Sequence, residues 1–547
     1  MAVAQADRGV IVFVHNIVST THDNMSKNIQ GISLRVLHHF LPATLLLASQ
    51  AMAQAPAAKP DLWWSPGDGR PLPAFVEYAN DYGKLGIVNT AGTITTKGHP
   101  FFEPIGTNGR ACVTCHQPAD AMALSLTSIR QRWDATKGSD PLFAAVDGQN
   151  CPHLPSKEAA SHSLLLQRGL FRVGLPWPPR DAAGKPMTPE FTIEVVRDPT
   201  ACNTHPVYGL NGERHEISVY RRPRPAANLR YVTASKFGVT PFIGKTGMLA
   251  TTDPETGQPL NMNMMADARV VTLKGQAQSA AKDHMQVAAP LSAAQLQSIQ
   301  DFELQLYGAQ SWSNGGGSLE EPNGPSGFGP HNMAKGRDGL LGNNTSNYVF
   351  PMEDKWSQLP AATNAADKAR NDFRASVARG HDVFFYRTFW ISDAMHINTV
   401  GLGNPIKRTC ATCHGMHMTA MDTANGWMDL GTTNSPWALE PPQSPWAKDM
   451  PPMPLFKLTC RADLPPHPFL GRVIYTQDPG RALISGKCED IGAIVLQQFR
   501  GLAARAPYFV NGSAANLREL VDFYDRRFNI RFTEQEKTDL VNFLSVL

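Results

Sequence analysis

The pentapeptide C-x-x-C-H occurs twice in this chain, as Cys112-Val113-Thr114-Cys115-His116 and as Cys410-Ala411-Thr412-Cys413-His414. With 8 cysteines and 17 histidines in 547 residues, chance would supply about 0.004 copies. Two thiols three residues apart lie on one helical turn, where both can form thioethers to the vinyl groups of a single haem. The adjacent imidazole then points at the iron. The pattern therefore implies two covalently bound haem c groups, attached through Cys112, Cys115, Cys410 and Cys413, with His116 and His414 as proximal ligands. A thioredoxin-like redox pair needs no following histidine, and a zinc site needs further ligand pairs close by.

The N-terminal text sets the compartment. From Met25 the chain reads MSKNIQGISLRVLHHFLPATLLLASQAMAQAP. Lys27 and Arg35 supply a positive n-region, FLPATLLLA a short apolar run, and Ala51 and Ala53 the small residues of a cleavage site. That run is too short to span a bilayer comfortably, so no stable membrane insertion is expected. Residues 1–53 read as leader and signal peptide, residues 1–24 as an upstream extension, and the mature protein as periplasmic, cleaved near Ala53. A buried first helix is the rival reading. The net charge of +3 points to neither nucleic acid nor an anionic membrane surface. Four cysteines remain, two in each half, and in an exported protein Cys151 with Cys202 and Cys460 with Cys488 read as one disulfide per half. Free buried thiols are the alternative.

The halves look alike in more than the motif. Lys97–Phe102 (KGHPFF) precedes the first copy and Arg379–Phe385 (RGHDVFF) the second. Each half closes on a patterned helix. Leu291–Gly308 has a capping box at Ser292 and Gln295, with Leu296, Ile299, Phe302 and Leu306 at helical spacing. The chain's last stretch has a capping box at Thr533 and Glu536, followed by Leu540, Val541, Leu544 and Leu547. Between the halves, SWSNGGGSLEEPNGPSGFGP is rich in Gly, Pro and Ser and reads as a linker or surface excursion. The expected fold is mainly α: two cytochrome c-like haem domains with long loops and few short strands. The N-terminal haem domain would span residues 54–310, a linker 311–365, and the C-terminal haem domain 366–547. Residues 140–260 read as Pro-rich and loop-like.

Gln477–Gly492 (QDPGRALISGKCEDIG), Phe499–Ile530 (FRGLAARAPYFVNGSAANLRELVDFYDRRFNI) and the two C-x-x-C-H units together resemble the bacterial di-haem cytochrome c peroxidase/MauG superfamily. The resemblance is strong over about residues 370–547. It is weaker over 95–310, where Arg221–Leu229 (RRPRPAANL) and Asp267–Ala277 (DARVVTLKGQA) carry it. It implies a peroxide-reactive haem at His116 and a six-coordinate, electron-handling haem at His414. An open coordination position and a distal acid/base group are what peroxide activation needs. It also implies that the chain's partners are hydrogen peroxide and either an electron-donor protein or an oxidisable protein or organic substrate. Calcium between the domains occurs in relatives, although no acidic cluster here demands it.

The sixth ligand of the second haem decides the subclass. Peroxidases of the family use Met and MauG-type members use Tyr; laid against the family's final helix, that position falls on Tyr524. Tyr524 also shares a helical face with Leu517, Leu520 and Val521, which would suit simple core packing. Met450 and Met453, beside prolines, are rivals, whereas Met416 and Met418 sit too close behind His414 to reach round the ring. Val510 stands where members commonly have His, and Ala266 where a Trp between the haems often stands, leaving Trp133, Trp177 or Trp427 as substitutes. For the distal pocket, Gln276 matches the family's Gln, and Asp283 or His284 lies near the catalytic carboxylate's place; a solvated helix face is the alternative. The expected activity is a MauG-like, peroxide-activating di-haem oxidoreductase. A peroxidase drawing electrons from a small cytochrome or cupredoxin, a non-enzymatic di-haem carrier and a rubber-oxygenase-like dioxygenase are the alternatives.

Overall fold

Among the described residues, six helices have eleven residues or more, and each begins at a residue suited to start one. In chain order they are α1 (Leu126–Thr136), α2 (Leu273–Met285), α3 (Ala293–Gln305), α4 (Ala365–Tyr386), α5 (Leu517–Phe528) and α6 (Glu534–Ser545). Ser125, Thr272, Ser292, Asn364, Asn516 and Thr533 cap them, each side chain accepting a backbone N–H of the first turn. Both capping boxes read from the sequence, at Ser292/Gln295 and Thr533/Glu536, are formed. This computed structural model describes residues 63–181, 183–233, 263–322, 324–335, 353–396, 404–414, 426–437 and 448–547. The expected signal peptide, Met416 and Met418 lie outside the described residues. Helix makes up 31% of the structure, with short strands scattered among the helices. Among the described residues no helix is long and apolar enough to cross a membrane.

Aromatic packing repeats between the halves. In the first, Phe101 stacks on Phe302 of α3 with ring centroids 4.6 Å apart, and His99 lies 5.4 Å from the same ring. In the second, Phe384 of α4 lies 5.7 Å from Phe543 of α6, and His381 5.9 Å from it. The KGHPFF and RGHDVFF texts thus each seat a Phe and a His on the closing helix of their own half. The same phenylalanines face the motifs, with Phe101 6.3 Å from His116 and Phe384 6.5 Å from His414.

Strands bind the halves together. Residues 60–547 form one compact unit. Leu455–Cys460 is the central strand of a three-stranded antiparallel sheet, flanked by Val473–Thr476 and by Phe191–Arg197 from the N-terminal half. A ribbon of Phe171–Pro176 with Glu216–Arg221 packs against it, so Ile193, Ile217, Val219, Phe456 and Leu458 share one buried cluster. The stretch expected to be loop-like therefore supplies strands: Phe171–Pro176 and Glu216–Arg221 pair with each other, and Phe191–Arg197 pairs with a strand from the C-terminal half. Both expected disulfides, Cys151–Cys202 and Cys460–Cys488, are formed.

The helix expected over Leu291–Gly308 stops at Gln305. Leu306–Ser313 is instead a strand paired with Gly83–Asn89 in a four-stranded sheet. The Gly/Pro/Ser-rich stretch starts inside that sheet, where Ser311 and Ser313 are buried, and Gly315 lies against the Phe373 ring with no room for a Cβ.

A buried ionic cluster crosses between the halves. Arg221 donates from Nε and Nη2 to both carboxylate oxygens of Asp478, at 2.7 and 2.9 Å, and from Nη1 to Asp267 at 2.6 Å. Arg269 also meets Asp267, at 3.0 Å. Burial alone would raise the Asp267 carboxyl, but Arg269 and Arg221 outweigh it and hold it well below the usual carboxylate range. Removing one partner of such a group leaves an uncompensated buried charge, at a cost of about 3–5 kcal/mol. Asp478→Asn should therefore shift the urea midpoint sharply downward, while Glu489→Gln, in an exposed pair with Lys487, should leave it unchanged. Equal midpoints for the two variants would show that the cluster does not hold the fold.

Candidate functional site

Both motifs adopt the same backbone. Cys112–Thr114 and Cys410–Thr412 are each one turn of 3-10 helix, preceded by an extended residue. In the first, the N–H groups of Cys115 and His116 donate to the carbonyl of Cys112 at 3.2 and 3.1 Å; in the second, those of Cys413 and His414 donate to Cys410 at the same distances. A threonine hydroxyl closes each turn, Thr114 Oγ1 accepting from Ala111 N at 3.0 Å and Thr412 Oγ1 from Thr409 N at 3.3 Å. Two thiols and an imidazole are thereby presented from one rigid turn, twice.

The first turn is held by buried arginines. Arg132 of α1 donates to the Thr114 carbonyl at 2.7 Å while forming a bidentate pair with Asp140. Arg110 ion-pairs with Asp147 and donates to the carbonyls of Pro141 and Leu142, both at 2.7 Å. His116 lies against a cavity of about 170 Å³. Its Nδ1 is 2.9 Å from the Met122 carbonyl, which fixes that nitrogen as the N–H donor and leaves Nε2 as the lone-pair nitrogen. Burial lowers its pKa, so the ring is neutral, as a metal ligand must be.

Two of the three predicted distal residues line this cavity. Gln276 and His284, both on α2, border it together with Cys115 and His116. Asp283 does not; it is exposed and accepts a hydrogen bond from Ser279 on the outer face of α2. His284 is oriented by a residue the sequence reading missed. Its Nδ1 lies 2.6 Å from Asp147 Oδ2. Burial alone would raise the Asp147 carboxyl, but Arg110 and His284 outweigh it and hold it below its ordinary range. Glu303 of α3 was missed as well: it is buried at the same cavity and burial pushes its carboxyl up to about 8. A signal for it existed, since Glu303 falls four residues after Ile299, on the stripe that otherwise carries Leu296 and Ile299.

The second turn opens onto another cavity, of about 110 Å³, lined by His414, Met428, Leu430, Leu496, Phe499, Leu520 and Tyr524 among others. The His414 ring lies 4.4 Å from that of Phe499. Tyr524 sits on α5 among Phe509, Phe523 and Phe528. Burial, and after it the neighbouring Cys410 and Cys413, pushes its phenol above the usual range. Met453 is elsewhere, packed with Leu164, Leu170 and Tyr220, and neither it nor Met450 lines the cavity.

Arg222 and Pro223 border both cavities and form the wall between them. Ala266 and Val510, the two departures from the family pattern, meet there with Ile494 in one buried apolar cluster. Trp133 packs on Phe143 and His162, Trp177 on Phe191, and Trp427 donates to Asp490 at 2.8 Å under Arg481. None of the three lines either cavity. Among the described residues no group of three or more His, Cys, Asp or Glu forms a metal-ion cage, so no calcium ligand set arises there. The residues do fit covalently held haem at both motifs: paired thiols on a rigid turn, an adjacent histidine, and a cavity against each imidazole.

No family model matches the chain, and no curated protein matches it. Among solved structures it is similar to a MauG-like protein associated with microbial copper homeostasis, at a TM-score of 0.27 and 17% identity, over 59% of this chain and 80% of that one. A likeness at that level carries no argument about fold or chemistry.

Replacing Cys112 and Cys115 with Ser should halve the covalent haem per chain, measured as pyridine haemochrome absorbance and by intact-protein mass. Undiminished haem would remove the first motif as an attachment site.

Proposed function

We propose that this chain is an exported, MauG-like di-haem oxidoreductase: a mainly α protein of two cytochrome c-like haem modules, within residues 54–310 and 366–547. The observation that carries the reading is the contrast between two identical turns. His116 opens onto a cavity with polar Gln276 and His284, whereas His414 shares an aromatic cavity with Tyr524. When bound, haem supplies an iron that exchanges electrons and accepts oxygen ligands.

The chain's own residues supply the rest. Cys112 and Cys115 anchor the first group and Cys410 and Cys413 the second. His116, with Nδ1 tied to the Met122 carbonyl, offers Nε2 to the metal. His284, with Nδ1 held by Asp147, keeps Nε2 free to take a proton from one oxygen of hydrogen peroxide and return it to the other. Gln276 orients the peroxide by hydrogen bonding. His414 and Tyr524 would hold the second group in a pocket lined by Phe499, Tyr508 and Phe509, with Tyr524 packed on Phe523 and Phe528. A phenolate oxygen lowers the reduction potential relative to a thioether. Tyr524 would have to hold the metal as a phenolate, without its phenol proton, as coordinating groups do. Reduction of peroxide to two waters consumes two electrons and two protons, and the electrons come from a donor protein or an oxidisable protein or organic substrate.

The test is an optical and electron paramagnetic resonance titration of the as-isolated diferric protein with hydrogen peroxide. A high-spin ferric signal that responds to peroxide without prior reduction is expected. In Tyr524→Met, reaction should require half-reduction first. Purely low-spin haem that ignores peroxide would leave a non-enzymatic electron carrier as the reading.

A further inference from the structure

Glu303 is unexplained by its protein neighbours. It is 4% exposed, and its Oε2 is buried with no hydrogen-bond partner. It borders the first cavity beside Cys112, Cys115 and His116. An ionised carboxylate with one oxygen so placed would lack a protein donor there, at a cost of several kcal/mol by the usual order of magnitude. Protonation avoids that cost, and burial indeed pushes its carboxyl up to about 8.

The charged groups around the cavity have other partners, apart from Arg222 Nη1, which is buried without one. Arg110 and His284 both engage Asp147. Arg221 and Arg269 engage Asp267. Arg222 donates to the carbonyls of Leu124 and Arg505, and Arg224 to those of Asn263, Val495 and Leu496. Cys112 and Cys115 lose their titrating protons on thioether formation, and His116 is neutral. No cation pairs with Glu303, so its protonation state is free to follow whatever charge changes inside the cavity.

We propose that Glu303 is a proton-carrying residue of the first site: in the pH range where it is ionised while the metal held by His116 is oxidised, it gains one proton when that metal gains one electron and releases it on reoxidation. The inference rests on the reading above only for haem at His116. The balance is one electron from the donor protein and one proton from solvent, and the only bond made is O–H on the Glu303 carboxyl. A negative charge arriving in a low-dielectric cavity raises the proton affinity of an adjacent carboxyl, which links the two events.

Spectropotentiometric titration of the holoprotein, without peroxide, tests this. The midpoint potential of the His116 haem should fall with pH by up to about 59 mV per unit, across the window in which Glu303 titrates. Glu303→Gln should flatten that window, and Asp283→Asn, on the exposed face, should keep the slope. An unchanged slope in Glu303→Gln overturns the proposal. If that variant takes up no haem, the reduced-minus-oxidised infrared difference spectrum of the unsubstituted protein decides. A protonated-carboxyl band that moves on carbon-13 glutamate labelling supports the proposal, and its absence overturns it. A protein that ignores peroxide would still show the slope, so the two readings fail separately; absence of haem at His116 would end both.

Discussion

Arg221 is the residue through which both cavities are held in place. It is buried on the strand Glu216–Arg221 and fastened by three short hydrogen bonds to Asp267 and Asp478. Those carboxylates belong to segments that reach opposite sides of the molecule. Asp267 leads into α2, which carries Gln276 and His284, and Asp478 precedes the turn that ends at Ile494 and Val495 in the wall of the second cavity. The residues after Arg221, Arg222 and Pro223, are the shared wall itself. A charge so deeply buried has few satisfactory geometries, because every misplacement strands a carboxylate or a guanidinium without a partner. The wall is therefore set by electrostatics and only filled in by packing.

On either side of that wall, one local structure serves two environments. The two motif turns match hydrogen bond for hydrogen bond, so any functional difference must come from what surrounds them. The first is pinned by Arg110 and Arg132 and faces His284, Asp147 and Glu303, groups that hold or move protons. The second lies near Phe384 and Phe499 and opens onto a cavity lined by Phe499, Phe509 and Tyr508, with Tyr524 at the position the family resemblance singled out. At the wall, Ala266, Ile494 and Val510 form a compact apolar plug. A tryptophan relay through that point is thus absent from this chain's described residues, and electrons passing between the sites would cross Arg222, Pro223 and their neighbours instead.

Much of this could be read from the amino acids alone, where the information is local. The C-x-x-C-H spacing, the Thr that closes each turn, the capping boxes at Ser292/Gln295 and Thr533/Glu536, and the paired GHPFF and GHDVFF texts act within a few residues of themselves. Hydrogen bonds of that range form whatever the rest of the chain does. The disulfide partners followed from there being one leftover pair in each half.

What only the tertiary structure decided is non-local. Phe191–Arg197 became a strand because Leu455–Cys460, more than 250 residues away, offers it a ladder. The helix at Ala293 stopped at Gln305 because Gly83–Asn89 claims the next residues as a sheet partner. The choice between Asp283 and His284 turned on the face of α2 each occupies relative to the cavity, and the orientation of His284 on Asp147, which adjacency in sequence could not suggest. Glu303 was visible as a charge on an apolar stripe, but only the fold revealed that the stripe ends at a cavity with no partner for its carboxyl. Sequence fixes which groups are available and how each turn is built; burial and long-range pairing determine which of them share a site, because desolvation and cross-chain hydrogen bonds exist only once the chain has closed on itself.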